Sequence, residues 1–276
     1  MVSDMTVGKP SKVILIFALP MILGNLFQQL YNVVDSIVVG NFVGAAALAA
    51  VGASFPITFL SIAVAVGGSM GCSVVISQMF GAKLFSEMKT AIFTSLITIF
   101  AMAVAVTAIG LVFGKSILLL LGTPADILFD SLAYLHIYFL SIIFLFGYNI
   151  LTAIFNALGN SKTPLYFLIF SSGLNIVLDL LFVIKFNMGV AGVAWATLIS
   201  QGVSSVMLLT VLIRRLESIE TDEPYSFFDK NILGKMAKIA LPSIIQQSAV
   251  SVGMLMVQKL VNGYGTTVVA GYTAAT

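Results

Sequence analysis

The sequence predicts an all-α polytopic membrane protein, and three observations carry the prediction. Hydrophobic residues make up 59% of the chain and charged residues 9%, with a mean hydropathy of +1.10, a balance that a soluble globular domain does not need. The apolar residues gather in repeated stretches of about 20, the length a helix rising 1.5 Å per residue needs to cross a hydrocarbon layer of about 30 Å. They do not form the alternating segments of about 10 residues that barrel strands would show.

Taken in order, the apolar spans are 13–39, 48–76, 91–113, 132–156, 164–184, 190–213 and 237–260. That is six complete helices and a seventh. The first is too long for the apolar region of a cleavable signal and lacks a small-residue cleavage site, so it is expected to stay as a helix. Pro20, Pro56 and Pro242 fall inside the first, second and seventh spans, where each removes a backbone hydrogen bond and should kink its helix. The second span also holds Gly67-Gly68-Ser69-Met70-Gly71, which lets another backbone approach closely. The fifth follows a turn at Gly159-Asn160, with Thr163 as its N-cap and Pro164 in its first turn. A short turn, Phe186-Asn187-Met188-Gly189, joins the fifth to the sixth. The only dense run of charge, residues 214–236, reads as a solvated cytoplasmic connector. The expected organisation is a six-helix lobe over 1–213, a linker over 214–236 and the start of a second lobe over 237–276.

Charge sets the orientation and excludes several chemistries. Lys9, Lys12, Lys83, Lys89, Lys162, Arg214, Arg215, Lys230, Lys235 and Lys238 fall on one side of the spans, and only Lys115 and Lys185 lie in loops on the other. The amino terminus is therefore expected in the cytoplasm, and the chain in the inner cell membrane. A net charge of +2 is too small and scattered for nucleic acid. Cys72 is alone, so neither a disulfide framework nor a Cys/His metal cluster is expected. His136, the single histidine, lies near the start of its helix with no visible relay partner, which favours a packing or interfacial role. No enzyme activity and no cofactor are expected.

The seventh span repeats the first. Phe17-Ala18-Leu19-Pro20-Met21-Ile22 recurs as Ile239-Ala240-Leu241-Pro242-Ser243-Ile244, and Gln28-Gln29 recurs as Gln246-Gln247. Downstream, Gly44-Ala45-Ala46-Ala47-Leu48-Ala49-Ala50 is echoed by Gly265-Thr266-Thr267-Val268-Val269-Ala270-Gly271, at a period of about 221 residues. Six helices return the chain to its starting side, so two such units would share one topology about an axis along the membrane normal.

Two carboxylates stand deep in apolar spans, Asp35 in the first and Asp179 in the fifth. An ionised group in hydrocarbon costs several kcal/mol, so such residues usually face a cavity and hold a cation or exchange a proton. The competing explanation is a hydrogen bond that glues two helices. Asn175 and Asp179 are four apart and share a helix face. Counting from the turn at 186–189 puts Thr197 at the depth of Asp179, and Asp35 lies in the outer half of its own helix. Two carboxylates, an amide and a hydroxyl could converge there. All-oxygen ligands suit a hard cation such as sodium, and two close carboxylates can equally share one proton. Gln28, Tyr31, Asn32 and Asn149 could line the same cavity.

The run from Ala18-Leu19-Pro20 through Tyr31-Asn32-Val33-Val34-Asp35 is the first of three that resemble the multidrug and toxic compound extrusion (MATE) family. The second is Ile154-Phe155-Asn156-Ala157-Leu158-Gly159-Asn160-Ser161-Lys162-Thr163-Pro164, and the third joins Asn175-Ile176-Val177-Leu178-Asp179 to Gly189-Val190-Ala191-Gly192-Val193-Ala194-Trp195-Ala196-Thr197. The resemblance implies two six-helix lobes around a cleft, exporting organic cations in exchange for protons or sodium. It also implies an amino-lobe cation site at Asp35, Asn175, Asp179 and Thr197. Family members have twelve helices, so the chain is expected to be part of a longer protein, with a second chain supplying the missing lobe as the alternative.

Three other functions fit parts of the pattern. A lipid-intermediate flippase of the same superfamily would carry basic residues in its central cavity, and none lies inside the first six predicted spans. A retinal photoreceptor could use Lys259, but the third span offers no acidic counter-ion and the repeat argues against it. A non-transporting fragment is the remaining alternative. Within the leading expectation, Pro20 lets the first helix bend about four turns from Asp35.

Overall fold

A computed structural model describes residues 10–221 and 224–275. The chain folds into α1 (Pro10–Val38), α2 (Ala45–Gly81), α3 (Phe85–Leu120), α4 (Leu128–Ala157), α5 (Lys162–Leu180), α6 (Gly189–Glu217), α7 (Lys230–Asn262) and α8 (Thr266–Ala275). Seven of these are long and apolar enough to cross a membrane, in agreement with the seven predicted spans. The helices overrun those spans, most of all α2 with 37 residues and α3 with 36. Hydropathy marks only what hydrocarbon demands, whereas backbone hydrogen bonding carries a helix on into polar surroundings.

α2 and α4 occupy the middle. About half of the apolar window of each is buried, against 6% for α1 and for α7. The main core joins Ile76, Ile92, Ile99, Leu135, Ile142, Phe146, Phe155 and Leu212 across α2, α3, α4 and α6. α5 packs on α6, and α1 packs on α5.

α7 lies along α2, and the Gly67 run shows why. A Cβ on Gly67 would meet the Ile244 backbone at 2.7 Å, and one on Gly71 would meet Ala240 at 2.6 Å. The expected packing role is what these glycines have, and the helix they admit is the first of the second repeat. The repeat itself is visible at the corner that follows each copy. Gly44 (φ 115°) and Gly265 (φ 87°) both take up backbone that disfavours a Cβ, immediately before α2 and α8.

Two local expectations are corrected. Thr163 lies within α5 and is not its cap; the Asn160 side chain accepts from Thr163 N at 3.2 Å and donates to Thr163 Oγ1 at 2.7 Å. The amide reaches the free N–H groups of the first turn better than the shorter hydroxyl does. The charged connector is also shorter than 214–236, running from Ser218 to Asp229; its described residues are mostly exposed, as a solvated connector requires, and some of them also bond to α3. Lys89, Thr90, Phe93 and Thr94 of α3 hold it, with contacts given below.

α1, α2 and α7 remain helical through Pro20, Pro56 and Pro242.

Candidate functional site

Asp35 and Asp179 each sit just before their helix widens. α1 passes into a π-helix over Val39–Val43, and α5 into another over Leu181–Lys185. The two π segments pack against each other, and such turns recur at functional sites. Val38, Val39, Ala47, Val51, Val183, Val190 and Val193 form a dry cluster at this end of the bundle. The carboxylates therefore lie close to an apolar cluster.

Asn175 ties the site together. With its amide nitrogen turned to the acids it donates to Asp35 Oδ1 and to Asp179 Oδ2, at 3.0 Å each, while its oxygen accepts from Thr197 N at 3.2 Å. Its amide also lies 3.4 Å from Thr197 Oγ1. Asn175 and Asp179 are fully buried and Asp35 is half-buried. The carboxyls of Asp35 and Asp179 are within hydrogen-bonding reach of each other. α1, α5 and α6 each contribute, so the predicted quartet of Asp35, Asn175, Asp179 and Thr197 is brought together.

Tyr134 of α4 is a participant that sequence reasoning missed. Its phenol comes close enough to interact electrostatically with both Asp35 and Asp179, and its ring stacks on Tyr138 at 6.3 Å. The one available signal was the four-residue spacing of these tyrosines, which places them on one face of α4.

The four predicted lining residues behave differently. Gln28 reaches a small cavity of about 30 Å³ shared with Tyr148, Ser171, Ser172 and Gln201. Ser171 and Gln201 stand one helical turn from Asn175 and Thr197, so this cavity neighbours the quartet. Asn32 is exposed and approaches Gln29 at 3.4 Å. Asn149 donates to Leu145 O of its own helix at 2.8 Å. The Tyr31 side chain lies outside the described residues. Lys259, weighed as a retinal attachment point, is exposed in an open groove between α3 and α7. Among the described residues no three His, Cys, Asp or Glu side chains cluster as a metal site. Any metal at the quartet would be held by two carboxylates with neutral oxygens.

The MatE family model matches residues 20–181, a stretch that contains Asp35, Asn175 and Asp179. The chain belongs to the MatE family. This is a family of transporters, not of enzymes. The chain is 32% identical to the probable multidrug resistance protein YpnP of Bacillus subtilis (strain 168), over 98% of its own length and 60% of the relative's. It superposes on a crystal structure of MATE in the straight conformation with a TM-score of 0.81 at 30% identity, covering 90% of this chain and 55% of the other. A crystal structure of MATE in the bent conformation gives a TM-score of 0.81 at 29% identity, with the same coverage. The chain thus spans about 60% of the length of the curated relatives it matches.

Proposed function

We propose that the protein is the amino-terminal part of a multidrug efflux antiporter of the inner cell membrane, with its amino terminus in the cytoplasm. On this reading it exports organic cations in exchange for protons or sodium, and Asp35, Asn175, Asp179 and Thr197 hold the coupling ion. The observation that carries it is the bridge from Asp35 on α1 through Asn175 to Asp179 on α5. Two carboxyl groups this close repel unless a proton or a cation lies between them. Occupancy of the site is therefore tied to how closely α1 can lie against α5.

Asn175 is suited to either ion. With its nitrogen inward it donates to both acids and needs no metal. Rotated by half a turn, its oxygen would take the place 3.0 Å from Asp35 Oδ1 and Asp179 Oδ2, giving an oxygen triad of the kind a hard cation accepts. Sodium, where it is the coupling ion, would be held by these oxygens with Thr197 Oγ1 beside them. The ion would supply the positive charge that lets the carboxylates approach.

Coupling requires the two shapes of α1 to differ in affinity for the ion, since equal affinity shifts nothing. α1 is the mobile partner in this reading because Pro20 cannot donate to the carbonyl of Ile16.

The test is efflux of a fluorescent organic cation from vesicles containing the full-length native protein, under an imposed pH or sodium gradient. Efflux should follow one gradient in the wild type and neither gradient in Asp35→Asn. Gradient-driven efflux at the wild-type rate in a well-expressed Asp35→Asn protein would remove the site from the mechanism.

A further inference from the structure

Lys89 is only 6% exposed, and burying an ammonium is costly unless it is paired. Its Nζ donates to Ile219 O at 2.7 Å and lies 5.1 Å from the centre of the Tyr225 ring. Both partners belong to the segment that joins α6 to α7. The surrounding contacts have the same two owners. Ser86 Oγ donates to Pro224 O at 3.0 Å, Ser226 N to Thr90 Oγ1 at 3.1 Å, and Asp229 N to Thr94 Oγ1 at 3.1 Å. The Phe93 ring stacks on Tyr225 at 5.6 Å and meets Phe227 edge-on at 5.1 Å.

On α3 these residues are Ser86, Lys89, Thr90, Phe93 and Thr94, spaced as one continuous helix face. On the connector they run from Ile219 to Asp229, where the last contact passes directly into α7. Thr94 holds the Asp229 amide, while the Asp229 carboxylate caps α7 by accepting from Asn231 N and Ile232 N at 2.7 and 2.9 Å. A flexible tether between moving halves would have neither a buried cation nor a complementary helix face beneath it.

We propose that Ile219 and the run 224–229 form a fixed strap, positioned by Lys89 and Phe93, that keeps the first turns of α7 attached to the six-helix half throughout the transport cycle. Relative motion of the halves is then taken up beyond Asp229, not in the connector. The proposal rests on the efflux reading in needing two moving halves, but the strap itself does not.

Two arms test it in the full-length protein. In the first, chymotrypsin is applied from the strap side, with Tyr225, Phe227 and Phe228 as its targets. Local opening controls such cleavage. Lys89→Met should speed it about tenfold, the equivalent of one lost charge-assisted hydrogen bond, and Lys89→Arg should leave it near the wild-type rate. Equal rates in all three proteins would overturn the strap. In the second, Thr90→Cys and Ser226→Cys are joined by a short thiol crosslinker in a Cys72→Ser background. Undiminished efflux by the crosslinked protein is the expected result. Loss of efflux on crosslinking, restored by reductant, would show that the connector must move. An uncrosslinked protein that exports nothing would count against the efflux reading, and the chymotrypsin arm would still decide the strap.

Discussion

α1 and α7 begin as two copies of one helix and are used in opposite ways. Each carries Ala-Leu-Pro near its start, a Gln-Gln pair after it and a left-handed glycine at the corner beyond it. α1 carries Asp35. In α7 the equivalent place, counted from the proline or back from the glycine, falls on Val257 or Met256. α1 rests on α5, while α7 lies along α2 over the backbone contacts at Gly67 and Gly71, and the buried share of the apolar window is the same 6% in both. The repeat thus supplies a proline and a glycine corner to both helices, and of the two only α1 carries a carboxylate at this place. The carboxylate therefore stands on the copy that packs against α5, beside Asp179.

The largest expected effect breaks that comparison at its charged end. Asp35→Asn or Asp179→Asn should weaken coupling-ion binding by about 10- to 100-fold, since hydrogen bonds to a charged group contribute about 1.5–3 kcal/mol. Met256→Leu on α7 should change it less than twofold. Equilibrium ion binding to the purified full-length protein measures both. A Met256→Leu defect as large as that of Asp35→Asn would mean that the copies share the chemistry.

Packing gives the next contrast. Gly71→Leu forces a side chain into the Ala240 backbone, and α7 cannot yield there without leaving α2. A loss of about 1–3 kcal/mol is expected, read as a lowered midpoint of thermal unfolding in detergent. Gly24→Ala on α1 meets Leu168 at 3.7 Å and Leu165 at 4.0 Å, ordinary contacts, and should leave the midpoint nearly unchanged.

Within the site, the neutral ligands should matter less than the acids. Thr197→Ala is expected to weaken ion binding by less than tenfold, because a neutral hydrogen bond is roughly half as strong as a charge-assisted one. An effect equal to that of Asp179→Asn would assign Thr197 a direct share of the ion. The smallest effect is at the α7 cap: Asp229→Ala should cost about 1 kcal/mol of stability, detectable in the same unfolding scans.

The membrane spans were legible because hydrocarbon leaves a chain little choice, and the quartet was legible because a buried carboxylate is conspicuous there. Depth could be counted along the helices from the 186–189 turn. Adjacency could not, so Asn32 and Asn149 stood as possible lining of the same cavity until the fold showed one exposed and the other bonded to its own helix. The π segments beside Asp35 and Asp179 left no mark in composition. Tyr134 was one more aromatic in an apolar helix. The connector is exposed, as its charge implies, but its bonds to α3 were not legible. Its partner stripe, Ser86 to Thr94, was present at helical spacing, but a stripe does not reveal what lies across it.

If Asp35 and Asp179 together hold the coupling ion of an exchanger, substrate binding must be thermodynamically linked to that ion. Calorimetry of substrate binding to the purified full-length protein, in buffers of different ionisation enthalpy and with and without sodium, tests it most directly. The account predicts that binding releases a proton, or is opposed by sodium, in the wild type, and that neither linkage survives in Asp35→Asn although substrate still binds. The same linkage in wild type and Asp35→Asn would place the coupling ion elsewhere and contradict the account.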